Sequence, residues 1–312
     1  MFSRSSGCVL VVAVALAGSL IAGCSSTPGS NGAGSAGSGA SSGQISVVAS
    51  TDVYGDIVQQ IAGSKAKVTS IITNPSADPH GYEADAQNQL ALSRAKIVIE
   101  NGGGYDDFMN AMLKTANNSA AKVLNVVDIS GKAAAPGGVL NEHVWYDMPT
   151  VARLTAQLVI DLTAIDPAGA STFTANSKTF LAKLATIEAT EAAIKAKYSG
   201  TAVAITEPVP LYLLQASGLV NKTPAEFSKA VEEANDVPAR VLADTLALFN
   251  DKQVKLLAYN EQTTGATTAK VLAAAKANNI AVLPVTETLP SGKDYLTWMT
   301  DNVNAVQSAL AQ

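Results

Sequence analysis

Apolar residues along this chain fall into two kinds of run. Short stretches rich in Val and Ile, at 45–49, 67–73, 96–100 and 122–127, alternate with segments whose apolar residues recur at helical spacing. One such helix is expected over Asp52–Ala62, with Gly63 as its stop. This alternation predicts βαβ units and a sheet of parallel type. After a helix starting near Pro149 and a break at Asp166-Pro167, a long helical pattern covers 171–198, with Phe173, Phe180, Ile187 and Ile194 seven residues apart and Leu184 and Tyr198 beside them. Ser199-Gly200 ends it. At about 1.5 Å per residue this helix spans about 40 Å, so it either bridges two lobes or lies along the surface of one domain. Beyond it come strands at 202–206, 255–260 and 281–285, and helices at 211–216, 224–235, 266–278 and the C-terminus. The expected class is α/β, with a second lobe built like the first.

The opening residues carry Arg4, an apolar run and the small-residue site Ile21-Ala22-Gly23-Cys24. They read as a lipoprotein signal over 1–23, cleaved before Cys24, whose thiol would take the lipid; an ordinary secretory signal or a single spanning helix are the alternatives. A Ser/Gly-rich tether follows over 24–44, too polar and too permissive to build a core. The only other cysteine, Cys8, leaves with the signal, so the mature fold has no thiol for a disulfide, a nucleophile or a thiolate metal site. No apolar stretch after the signal is long enough to span a membrane.

Charge narrows the partners. The chain carries a net charge of −5 with no Lys/Arg cluster, which excludes nucleic acid and suits cations. It has two histidines, both read as lying at strand-to-loop exits, where ligands bind in open α/β sheets. His80 stands in Asp78-Pro79-His80-Gly81-Tyr82-Glu83, and His143 in Asn141-Glu142-His143-Val144-Trp145-Tyr146-Asp147, where a nearby carboxylate would fix the imidazole tautomer. Taken singly, each is more often an ordinary loop histidine than a ligand. In the second half the strands at 202–206 and 281–285 run into Glu207-Pro208 and Glu287-Thr288-Leu289-Pro290, acids that either join a site or cap the next helix. Asp106, Asp107, Glu232 and Glu233 read as solvated or helix-end charges; Glu261, at a strand's carboxyl end, stands nearer the site. Gly102-Gly103-Gly104 lacks the following Lys-Ser of a phosphate loop and reads as a turn. No hydrolase or kinase motif is present.

Together these motifs, in this order around one long helix, resemble the manganese/zinc class of metal-binding receptors of bacterial ABC transporters. The resemblance covers residues 45–312. It implies an N-terminal lobe (45–170) and a C-terminal lobe (200–312), each a βα sandwich, joined by one rigid helix (171–199). It also implies a non-enzymatic, monomeric lipoprotein on the extracytoplasmic face of the cell membrane, anchored through Cys24, that hands a divalent ion to a membrane permease. Carried across, the metal ligands are His80, His143, Glu207 and Glu287, with Asp78, Glu142 and Glu261 supporting them from outside. Zinc members often add a third histidine and a His-rich loop, and 130–141 has no histidine. Two imidazoles and two carboxylates favour Mn²⁺ over Zn²⁺, with Fe²⁺ third. Binding is expected to weaken below about pH 6.5 as the histidines protonate. The rival readings are a surface adhesin whose metal site is incidental and a non-haem metalloenzyme built on two histidines and a carboxylate.

Overall fold

The computed structural model describes residues 43–75, 82, 85–134 and 138–312. The signal, Cys24, most of the tether, Asp78 and His80 lie outside the described residues.

The first lobe is built from β1 (Ile45–Thr51), α1 (Asp52–Ala62), β2 (Ala66–Ile72), α2 (Ala86–Arg94), β3 (Ile97–Glu100), α3 (Phe108–Ala116) and β4 (Lys122–Asn125). Next come α4 (Val126–Ser130), α5 (Met148–Ile165) and the long α6 (Ala170–Tyr198). The second lobe runs through β5 (Ala202–Ile205), α7 (Leu211–Ala216), β6 (Val220–Asn221), α8 (Ala225–Glu232), α9 (Ala239–Asn250), β7 (Leu256–Asn260), α10 (Ala266–Ala277), β8 (Ala281–Val285) and α11 (Tyr295–Leu310). Each lobe holds a parallel four-stranded sheet, ordered β2-β1-β3-β4 and β6-β5-β7-β8. The order reverses between β1 and β3 and again between β5 and β7, so each sheet has a crevice beyond its strand ends at that point.

Residue alternation follows the pleat. Val47, Ala49, Ile97 and Ile99 face one side of the first sheet, and Val203, Ile205, Leu256 and Ala258 the matching side of the second; all belong to one buried cluster. That cluster continues through Phe173, Phe180, Leu184, Ile187 and Ile194 of α6. The helix packs on α1 and α5 of the first lobe and on α7 and α11 of the second. Val48 and Val98 point to an outer layer with Leu92, Met109 and Met112, as Ala204, Leu257 and Tyr259 do with Phe249 and Val271. Burial on both faces explains why the central strands β1, β3, β5 and β7 read as continuous apolar runs.

The structure corrects the sequence reading in three places. The fourth strand ends at Asn125, because its side chain accepts a hydrogen bond from the Asp128 amide and caps α4. His143 therefore follows no strand directly: it precedes a 3₁₀ turn, Val144–Tyr146, that leads into α5. Strand β6 and helix α9 had no sequence counterpart; β6 is only two residues long, and α9 starts behind Pro238 without a polar cap.

Candidate metal site

His143 is 1% exposed, edge-on to Tyr105 and Trp145 with ring centroids at 5.9 and 5.1 Å. Its Nδ1 lies 2.7 Å from Asn141 Oδ1, which also accepts the His143 amide at 3.2 Å. An acceptor there places the proton of the neutral ring on Nδ1 and leaves the Nε2 lone pair for a ligand. Nε2 stands 3.8 Å from Glu287 Oε2.

Glu207 and Glu287 occupy corresponding places, each two residues past its strand (β5, β8), and each is 2% exposed. Asn260, the last residue of β7, joins them: its Nδ2 donates to Glu207 Oε2 and, at 2.8 Å, to Glu287 Oε1. Thr263 donates to Glu207 Oε2 at 2.6 Å, and Gln262 Oε1 accepts the Glu287 amide at 2.5 Å. Both carboxylates are thus held as acceptors, the state a cation needs. Hydrogen bonds across the lobes fix their loops. Asn141 Nδ2 donates to Pro208 O at 3.1 Å, Tyr146 to Thr286 O at 2.9 Å, and the Leu289 amide to Asp52 Oδ1 at 3.1 Å.

This cleft holds more acid than it can comfortably ionise. Burial pushes the Glu207 carboxyl up to about 7, with the Glu287 charge adding and the Thr263 and Asn260 hydrogen bonds opposing. Burial likewise lifts Glu232 to about 8. For His143 burial disfavours the charge, but the hydrogen bond and charge of Glu287, with Glu142 and Glu232 behind it, win and raise the ring to about 9. The raised values on Glu207, Glu232 and His143 favour proton uptake there near neutral pH when no cation is bound. A divalent ion would replace those protons. Two bonds of about 2.1 Å at a tetrahedral angle put donor atoms about 3.4 Å apart, close to the observed 3.8 Å between Nε2 and Oε2.

The supporting residues differ from the sequence reading. Glu142 does not orient the His143 ring; Asn141 does. Glu261, one residue past the end of β7, is exposed, while Asn260 is buried against both carboxylates. Asp106 is 2% exposed and accepts the Asn101 and Gly102 amides at 2.6 and 2.8 Å, so it holds the Gly102 turn in place and is not solvated. Glu232 points into the cleft, its Oε1 3.8 Å from His143 Nδ1, while Glu233 is exposed. Asn260, Gln262 and Thr263 were missed; their signal was a polar run directly after a buried strand.

A family profile described as ZnuA, zinc-uptake complex component A periplasmic, matches residues 47–309. The chain belongs to this family. ZnuA-family proteins are metal-binding, substrate-binding components of ABC transporters and not enzymes. Among its relatives, the manganese-binding lipoprotein MntA of Halalkalibacterium halodurans is 28% identical over 145 residues, 46% of this chain and 47% of that protein. The iron ABC transporter substrate-binding lipoprotein MtsA of Streptococcus pyogenes is 27% identical over 154 residues, 46% of this chain and 49% of that protein. The chain spans about half the length of the curated relatives it matches. In fold it is similar to a mutant of the laminin-binding adhesin Lmb of Streptococcus agalactiae, with a TM-score of 0.72 at 18% identity, covering 85% of this chain and 99% of that one.

Proposed function

We propose that this protein is the extracytoplasmic, lipid-anchored receptor of an ABC transporter, which captures a divalent transition-metal ion between its lobes and delivers it to a membrane permease. The supporting observation is the convergence of the buried His143 Nε2 with Glu207 and Glu287, two carboxylates tied together by one asparagine. His80 is the fourth ligand in this reading. Pro75, the last described residue before its segment, accepts a hydrogen bond from Gln262, whose Oε1 holds the Glu287 amide. The lobes are assigned to 45–170 and 200–312, joined by the helix over 171–199, with Asp78 and Glu142 flanking the histidines.

Mn²⁺ is the favoured cargo, Zn²⁺ next and Fe²⁺ third. Two imidazoles with two carboxylates form a harder donor set than a His-rich site, and relatives carry manganese and iron in their names. The protein acts as a monomer held to the membrane by a lipid on Cys24. Titration calorimetry with Mn²⁺ and Zn²⁺ tests the site. Wild type should bind one ion tightly and a His80→Ala/His143→Ala double variant should not; equal affinity in the two would sink the assignment. Release of a Cys24→Ser variant from the membrane fraction tests the anchor, and retention there would refute it.

A further inference from the structure

Asn141 belongs to the first lobe and orients the His143 ring, yet its other bonds cross the cleft. Its Nδ2 donates to Pro208 O at 3.1 Å, and its main-chain carbonyl accepts from the Tyr212 hydroxyl at 2.7 Å. Both partners stand on one second-lobe segment, which leaves β5, passes through Glu207 and enters α7. That segment carries one proposed metal ligand and holds the residue that orients another.

An asparagine amide has an accepting end and a donating end, and only the accepting end suits the Nδ1–H of a ring that keeps Nε2 for a metal. A carbonyl only accepts. Pro208 O therefore draws the donating end of Asn141 to itself and leaves Oδ1 turned to the ring, 2.7 Å from Nδ1. The His143 amide, which donates to the same oxygen at 3.2 Å, supports that choice from within the first lobe. Tyr212 fixes the backbone of the same residue. Its hydroxyl stays a donor, because burial, with the charges of Asp147 and Glu142 adding, pushes it up to about 12. Lys132 Nζ lies over its ring, 4.2 Å from the centroid, and pairs with Asp147 at 3.1 Å. Asp147 in turn caps α5, accepting the Thr150 amide at 3.0 Å. The first lobe thus grips Tyr212 by its face and by its hydroxyl, although the residue stands on a second-lobe helix.

We infer that Tyr212 is a positioning residue for metal binding, which with Pro208 holds Asn141 from across the cleft and so presents His143 Nε2 only while the lobes are together. This rests on the proposed receptor function and adds a means of release. Parting the 207–212 segment from the first lobe withdraws Glu207 and unlocks the imidazole in one movement.

Nuclear magnetic resonance of the full chain with nitrogen-labelled histidine rings, loaded with diamagnetic Zn²⁺, tests this. The chain has two histidines, so only two ring spectra arise, and through-space contacts to Tyr105 and Trp145 assign His143. Tyr212→Phe removes one hydroxyl and keeps the ring beneath Lys132. It should speed solvent exchange of the His143 Nδ1–H, and loss of Zn²⁺ to a chelator, each by about tenfold, and Asn141→Ala by at least as much. Tyr146→Phe deletes a different bond across the lobes, to Thr286 O, and should leave that ring proton within about twofold of wild type. Equal acceleration in Tyr146→Phe would reduce the effect to general loosening of the lobes and overturn the assignment. So would an unchanged ring proton, or unchanged Zn²⁺ loss, in Tyr212→Phe. Wild type that binds no Zn²⁺, or binds it with no change at His143, would instead refute the receptor site itself, a result read before any variant is compared.

Discussion

Strands β3 and β7 hold the same place in their two sheets, and each leads into a buried asparagine with a different task. Asn101, just past β3, donates to Gly102 O at 2.8 Å and Glu142 O at 3.0 Å and accepts from Tyr54. It fastens the segment that presents His143. Asn260, at the end of β7, gives its amide protons to two carboxylates. Identical strand order creates a crevice in both lobes, but topology does not decide its chemistry. In the first lobe the amide serves backbone and scaffold; in the second it organises charge.

The largest effect should come from removing that charge. Glu207→Ala/Glu287→Ala should weaken Mn²⁺ or Zn²⁺ binding by about a thousandfold or more in titration calorimetry, since it deletes two of the four proposed donors and the anionic attraction. A loss below about tenfold would move the site elsewhere. The two asparagines should then separate. Asn260→Ala leaves the two carboxylates but frees them to repel, so affinity should fall about 10–100-fold. Asn101→Ala strands the buried Tyr54 hydroxyl and removes the side-chain donor to Gly102 O and Glu142 O, so thermal or urea unfolding should show a loss of about 2–4 kcal/mol. If Asn101→Ala costs affinity as heavily as Asn260→Ala at equal stability, the contrast between scaffold and site collapses.

A smaller effect appears in the pH profile. Burial opposes a charge on His143, but the hydrogen bond and charge of the second-lobe Glu287, with Glu142 and Glu232 adding, outweigh it and raise the pKa from 6.5 to about 9. A raised folded-state pKa means the proton favours the ion-free fold fully below about pH 6.5, and this contribution fades as pH rises through about 9. An incoming ion must expel that proton. Apparent affinity should therefore climb by up to about tenfold per pH unit from 6.5 to 8.5, with proton release measurable in buffers of different ionisation enthalpy. The expectation from free histidine, a plateau above about 6.5, omitted the acids around the ring. Constant affinity and no proton release over that range would show that Glu287 does not charge the ring.

Much of this was legible in the sequence. The strand–helix alternation, α1 and the span of α6 follow from periodicity, and the acids Glu207 and Glu287 from their position just past buried strands. The rest depends on geometry that a linear pattern does not encode. Asn125 turns a strand into a helix through one side-chain bond, and Glu232 differs from Glu233 only in which way the end of α8 faces. Asn141 orients the imidazole where a carboxylate was expected, because its side chain folds back on the residue two places on.

The smallest predicted effect is the most specific check on the comparison. Glu261 has the features that made it attractive in the sequence: a negative charge at the carboxyl end of β7, next to the site. In a pleated strand successive side chains point to opposite faces, so Ala258 and Asn260 take the inner face and Tyr259 the outer, and Glu261 stands in the bend just past the strand. Glu261 is exposed, and its charge is screened by solvent over about 8–10 Å at physiological salt. Glu261→Gln should therefore change metal affinity by less than about twofold, whereas Asn260→Ala, a neutral substitution one residue earlier, lowers it by about 10–100-fold. The uncharged residue outweighs the charged one because it touches both carboxylates. If Glu261→Gln weakens binding by tenfold, the alternation at the end of β7 is the wrong way round, and the amide clasp on the two carboxylates goes with it.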